Sequence, residues 1–225
     1  MARQLAFDLP VLTALGRDDF FVSDANALPV KILDAPQDWP DRKMLLIGPE
    51  GSGKSHLAQI WATTHNATLI PATDLGERSA GVTGAVVVDD ADSIAGDSAA
   101  ETALFHLHNL VLAEGGQLLI TAKSQPKRWG LGLPDLASRM EATATATLLP
   151  PDDTLLAAVL IKLFADRQIA VTASLIPWLV ARMDRSFATA RKLVSALDAL
   201  ALAKGQPVSR TLASEVLDSW DSEGQ

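Results

Sequence analysis

The 225-residue chain carries 19 Lys plus Arg against 27 Asp plus Glu, a formal charge of −8, and no cysteine. That excludes disulfides, cysteine nucleophiles and thiolate metal sites, and it argues against broad, unaided nucleic-acid binding, which needs a concentrated positive surface. Hydrophobic residues make up 48%, enough for one large globular domain or two small ones. With no leader-like start and no apolar run near the roughly 18–20 residues of a bilayer span, a cytoplasmic protein is expected.

Residues 1–18 read as a tail and linker. Within them QLAFDL alternates apolar Leu5, Phe7 and Leu9 with Ala6 and Asp8, a period of two that suits an extended segment. ANALPVKILDAP gives a short helix stopped near Pro36, and KMLLI (43–47) a short buried strand. GPEGSGKS (48–55) comes next, then a helix over HLAQIWATTHN. ATLIPA (67–72) and GAVVVDDAD (84–92) are the second and third strands, the latter with Val86, Val87 and Val88 buried on both faces. A helix over 99–113 ends at Gly115 and Gly116, QLLITA (117–122) is the fourth strand, 134–140 a short helix, and TATATLLPP (143–151) the fifth strand. Strands alternating with helices predict a parallel sheet covered on both faces. After Pro151 only helical stretches remain, near 152–167, 173–183, 187–203 and 209–220, with Asp152 or Asp153 capping the first. The expected division is a tail over 1–18, an α/β subdomain over 19–151 and an all-helical subdomain over 152–225. The histidines, His56, His65, His106 and His108, show no metal-binding spacing.

Gly48, Pro49, Glu50, Gly51, Ser52, Gly53, Lys54 and Ser55 satisfy G-x-x-x-x-G-K-[ST] in full, after a strand and before a helix. Glycines let main-chain N–H groups turn inward around phosphate oxygens, and the helix start adds positive potential. Lys54 then reaches the β- and γ-phosphates and Ser55 ligates Mg²⁺. Four apolar residues lead into Asp89 and Asp90. Alone these would be two solvated acids at a strand end. Beside a phosphate loop, Asp89 is a candidate Mg²⁺ ligand and Asp90 a candidate for orienting a lytic water. Asp90 is one methylene shorter than a glutamate, which points to slow hydrolysis.

Thr121 ends the fourth strand, where a hydroxyl could touch the γ-phosphate or the lytic water; a threonine chosen for strand propensity is the plainer alternative. Arg139, in LPDLASRM, follows a short helix that would carry it to a domain edge. There it could stabilise charge at a nucleotide held by a neighbouring chain, or simply pair with Asp135 or Glu141. Arg191, in ATARKLV, opens the third C-terminal helix and could turn back to the phosphates, with Arg185 as its competitor.

Together these features resemble the AAA+ ATPases, and the likeness narrows to the DnaA family. DDFFVSDAN resembles the segment by which DnaA and its relatives begin their AAA+ domain and line the base pocket, which implicates Val22. DDADSIAGD, LLITA and GLPDLASR resemble the Hda-type regulators of initiation, and QLAFDL resembles their clamp-docking hexapeptide. The fold implied is an α/β AAA+ P-loop NTPase: a five-stranded parallel sheet flanked by helices, followed by an all-helical lid. Residues 48–55 with His56, Val22 and Arg191 would hold ADP or ATP with Mg²⁺. Gln4 would supply amide hydrogen bonds, and Leu5, Phe7 and Leu9 apolar anchors, to the sliding clamp (the β subunit of DNA polymerase III). Each fully buried anchor contributes about 1.5–3 kcal/mol before the tail's ordering cost.

The function so implied is inactivation of DnaA: a nucleotide-bound protein on the DNA-loaded clamp stimulates hydrolysis of DnaA-bound ATP and prevents re-initiation. It acts mainly as an activator, with weak intrinsic ATPase at most. The chain ends soon after the last lid helix, so no autonomous sequence-specific DNA recognition and no membrane association are expected. Pairing through nucleotide edges makes homo-oligomers plausible. The alternatives are a DnaA-related recruitment adaptor and a stand-alone weak P-loop ATPase or kinase.

Overall fold

A computed structural model describes residues 21–79 and 81–223. Gln4, Leu5, Phe7 and Leu9 lie outside the described residues. The chain divides into two compact units, one formed by Asn26–Leu149 and the other by residues 21–25 with 150–223.

In the first unit, β1 (Lys43–Ile47), β2 (Thr68–Pro71), β3 (Ala85–Asp89), β4 (Gln117–Ala122) and β5 (Thr145–Thr147) are all parallel, in the order β2-β3-β4-β1-β5. After α1 (Ala27–Leu33), which precedes the sheet, parallel neighbours need crossovers, supplied by α2 (Lys54–Thr64), α3 (Leu75–Arg78), α4 (Ser98–Ala113) and α5 (Pro134–Glu141). The three central strands are near-continuous apolar runs because both their faces are covered. Leu45, Leu46, Val86, Val87, Val88, Leu118, Leu119 and Ile120 are each fully buried.

Alternate strand residues face opposite ways. Leu45, Ile47, Val86, Val88, Leu118 and Ile120 form one core with Leu104, Leu107 and Val111 of α4 and Leu136 and Met140 of α5. The other face is covered by α2, whose Leu57, Ala58 and Trp61 are buried. Trp61 donates from its indole N–H to the Leu33 carbonyl at 3.1 Å and stacks on Trp39 at 5.2 Å, which fastens α1 to α2. Register pairs Leu46 with Thr121 and Val88 with Ile120. The ends of β1, β4 and β3 therefore lie level, at the carboxyl edge where α/β sheets bind ligands.

The first four strands lie where the sequence pattern put them. The fifth is shorter than expected, Thr145–Thr147 rather than 143–151. Leu148 still donates to the Ile47 carbonyl at 2.7 Å, but Pro150 and Pro151 have no N–H to extend the ladder. Between β2 and β3 the structure adds a 3₁₀ turn, Ala72–Asp74, and α3, which periodicity missed because only Ala72 and Leu75 there are buried.

The second unit is helical: α6 (Asp153–Asp166), α7 (Leu175–Val180), α8 (Phe187–Lys204) and α9 (Arg210–Glu223). Leu156, Leu160, Phe164, Leu179, Leu193 and Leu212 are among its core. Asp152 caps α6 by accepting from the Leu155 N–H at 2.7 Å, Ser186 caps α8, and Gly205 ends α8 in the left-handed conformation. Among the described residues no helix is long and apolar enough to cross a membrane.

Candidate nucleotide site and an outlying arginine

Residues 48–53 leave β1 and turn into α2. The turn requires positive φ at Gly51 (72°) and Gly53 (96°), and Gly53 is the N-cap of α2. Gly48 is demanded by proximity instead. A Cβ there would lie 2.7 Å from the Leu148 carbonyl oxygen and 2.8 Å from Ser52 Oγ. Ser52 is buried, and its Oγ has no hydrogen-bond partner among the described residues. Lys54 is 8% exposed and folds over its own loop, Nζ donating to the Gly48 carbonyl at 2.8 Å and the Pro49 carbonyl at 3.0 Å. Burial holds its pKa below the usual lysine value, against the upward pull of Asp90, Asp92 and Asp89. Pro49, Glu50, Ser55 and His56 are exposed, the last two on the first turn of α2.

Across the sheet edge, the Thr121 hydroxyl donates to Asp89 Oδ1 at 2.6 Å and accepts from the Asp90 N–H at 2.8 Å. Asp90 is left-handed, φ 59° and ψ 47°, a conformation aspartate tolerates. The two aspartates are thus fixed by a fully buried threonine. Its proton is already given to Asp89, so only a remaining lone pair is available to a water. The sequence leaves this hydroxyl open to a γ-phosphate, a lytic water or mere strand propensity; within the chain its hydrogen bonds go to Asp89 and Asp90. Asp92 accepts from the Lys123 N–H at 3.2 Å on both carboxylate oxygens.

Lys54, Asp89, Asp90 and Thr121 therefore meet at one edge, and Arg139 is elsewhere. It is exposed near the end of α5, its guanidinium 5.0 Å from the Phe105 ring centroid, and it makes no ion pair among the described residues. The alternative of pairing with Asp135 or Glu141 is not what the side chain does. α5 belongs to the core opposite α2. Arg139 also depresses the pKa of Lys43, the first residue of β1, although burial is the larger cause and Asp41 opposes both. The Thr143 hydroxyl donates to the Arg139 carbonyl at 2.8 Å, just before β5 begins at Thr145, which puts the arginine toward the amino ends of the parallel strands, away from the phosphate loop.

In the helical unit, Arg185 pairs with Asp153 at 2.7 Å, whereas Arg191 is exposed on α8 with no ion pair among the described residues. Val22, half-buried, belongs to that same unit.

One functional candidate had escaped the sequence reading. Glu101 looks like an ordinary acid in the first turn of α4, yet it is 1% exposed. Two of its three partners, the amides of Gly132 and Leu133, lie more than thirty residues away, and nothing in local spacing could have found them.

No protein-family model matches the chain. Solved structures do. Domain III of the replication initiation protein DnaA from Thermotoga maritima superposes with a TM-score of 0.77 at 18% identity, covering 89% of this chain and 94% of that one. AMPPCP-bound DnaA from Aquifex aeolicus gives 0.66 at 14% identity, over 80% of this chain and 63% of that one. A RuvB variant from Thermotoga maritima gives 0.67 at 15%, over 89% and 70%. The chain thus spans under two thirds of the longer Aquifex DnaA. With its β2-β3-β4-β1-β5 parallel sheet, phosphate loop and following helical unit, the chain has the AAA+ P-loop NTPase fold of these DnaA and RuvB domains.

Proposed function

We propose that this chain is an Hda-like regulatory inactivator of DnaA. In this reading a cytoplasmic protein binds ADP or ATP with Mg²⁺ at residues 48–55 and docks on the DNA-loaded sliding clamp through Gln4, Leu5, Phe7 and Leu9. It then presents Arg139 to ATP held by DnaA, and the ADP-bound initiator that results cannot fire again. Residues 152–225 act as the lid, with Arg191 and Val22 contributing to the nucleotide pocket.

The observation that carries this reading is the placement of Arg139: exposed, without an ion pair among the described residues, and seated over Phe105 rather than at the strand edge that holds Lys54. A guanidinium so placed is suited to charge developing on another chain's phosphates. The nucleotide part draws on the left-handed glycines, the orphaned Ser52 hydroxyl and the buried Lys54 ammonium. Asp89 keeps its second carboxylate oxygen for a hydrated cation, and Ser55 stands exposed on the same edge.

Hydrolysis of DnaA-bound ATP on DNA-loaded clamp is the test. The full chain should stimulate it, Arg139→Ala should lose the stimulation and keep clamp binding, and removal of residues 1–9 should lose clamp binding. Clamp binding with no stimulation by the intact chain would overturn this reading in favour of a recruitment adaptor. The assembled Lys54, Asp89, Asp90 and Thr121 favour a second reading, a weak ATPase in its own right. Turnover by the chain alone, unaffected by Arg139→Ala, would select it.

A further inference from the structure

We infer that Glu101 is a positioning residue for Arg139: its carboxylate ties the turn beyond the paired aspartates to the amino end of α5. This rests on the role proposed for Arg139. The three bonds to the carboxylate all come from main-chain amides. Gly96 N–H donates to Oε1 at 2.9 Å, Gly132 N–H to the same oxygen at 3.0 Å, and Leu133 N–H to Oε2 at 2.7 Å. Among the described residues it has no cationic partner. A buried carboxylate without a cation persists only when its lone pairs are filled, and here they are filled by two loops at once. Burial pushes the carboxyl pKa up, but the amides of Gly132, Gly96 and Leu133 outweigh it and hold the group below the usual glutamate value.

The two loops have distinct duties. Gly96 follows the 3₁₀ turn Ala91–Ile94, which begins at left-handed Asp90. Gly132 and Leu133 lead into α5, and Leu133 is its N-cap residue with no capping side chain of its own. The carboxylate of the neighbouring helix instead holds the N–H groups of Leu133 and of Gly132 just before it, at the helix end where negative charge is favoured. Arg139 lies about 9 Å farther along α5, at 1.5 Å per residue. There its guanidinium rests over Phe105, one turn beyond Glu101 on the same face of α4. α4 thus holds α5 at two points, an anion at its start and a ring near its end. Two points on a rigid helix set both the rotation and the axial position of α5, and so the place from which the arginine reaches out. Glutamine at 101 would offer one carbonyl oxygen to three donors and turn an amide N–H toward another.

The test measures Glu101→Gln beside Arg139→Ala in the intact chain. Readouts are hydrogen exchange of segments 94–97 and 130–141, nucleotide affinity, and stimulation of DnaA-bound ATP hydrolysis on loaded clamp. For Glu101→Gln, exchange in 130–135 should rise about tenfold. Its maximal stimulation should fall about tenfold or more, as expected for a misplaced reacting group. The DnaA concentration at half effect and the chain's own nucleotide affinity should stay within about twofold, a split that general loss of structure would not produce. If Glu101→Gln does not fold, Glu101→Asp, which keeps the charge and withdraws it by one methylene, is read the same way. Unchanged stimulation by the Glu101 variant, with stimulation lost in Arg139→Ala, overturns this inference alone. Unchanged stimulation in both overturns the role of Arg139 as well.

Discussion

Thr121→Val replaces one hydroxyl by a methyl of nearly the same shape, at a site with no exposure. It removes the 2.6 Å bond to Asp89 Oδ1 and leaves the Asp90 N–H without its 2.8 Å acceptor. A bond to a charged group contributes about 1.5–3 kcal/mol, and an unmade amide bond costs about 1–3 more. Both aspartates are half-exposed, and water would recover part of this. The expected loss is about 2–4 kcal/mol, a large share of the roughly 5–15 kcal/mol that holds a domain folded. At about 2 kcal/mol per molar urea, the midpoint should fall by about 1–2 M. Thr121→Ser keeps the hydroxyl and should lose only about 0.5–1.5 kcal/mol for the missing methyl. Urea unfolding of the three proteins decides the matter. A valine variant within about 0.5 kcal/mol of wild type, or one equal to the serine variant, would refute the idea that this hydroxyl clamps the two aspartates.

Other expectations follow from the same geometry. Gly48→Ala should cost about 1–3 kcal/mol by overpacking, since its Cβ meets the Leu148 carbonyl at 2.7 Å and main chain yields poorly; thermal unfolding measures it. Lys54→Ala should leave the circular dichroism spectrum unchanged and weaken nucleotide binding at least about tenfold by calorimetry, the share of one charge-assisted contact. His108 is buried beside Lys43, Nε2 to Nζ at 3.4 Å. Burial foremost, then Lys43 and Arg139, lower its pKa against the pull of Asn109. The unfolded chain therefore takes up a proton that the fold refuses, so stability should fall as pH drops below about 6.5. His108→Gln should flatten urea midpoints measured between pH 7.5 and 5.5.

The strands were legible because buried parallel strands need unbroken apolar runs, and KMLLI, AVVVD and QLLITA are such runs. The phosphate loop was legible because glycines at fixed spacing answer a local backbone need. The fifth strand was overdrawn: edge pairing depends on available N–H groups, which the terminal prolines lack. What stayed hidden was the matching of partners across long separations. Nothing around Thr121 says that both of its hydrogen bonds go to β3 and the turn after it, and nothing around Glu101 says that it is buried. Arg139 could be singled out from LPDLASRM, but its seat on Phe105 depends on how α4 and α5 pack.

The separation of Arg139 from residues 48–55 gives the molecule a direction. Within the Asn26–Leu149 unit, one edge of the sheet carries residues 48–55 and lacks the arginine; the other carries the arginine and lacks that loop. A head-to-tail contact that brings the two together joins unlike surfaces and is heterologous, whereas a two-fold pair would have to make both contacts at once, each copy's arginine meeting the other's loop. Copies joined in this way would leave both ends of a row unsatisfied and able to grow. In the role proposed above, a mixed pair that used only the arginine end would stop growth on that side, and the chain would act as a terminator of such a row.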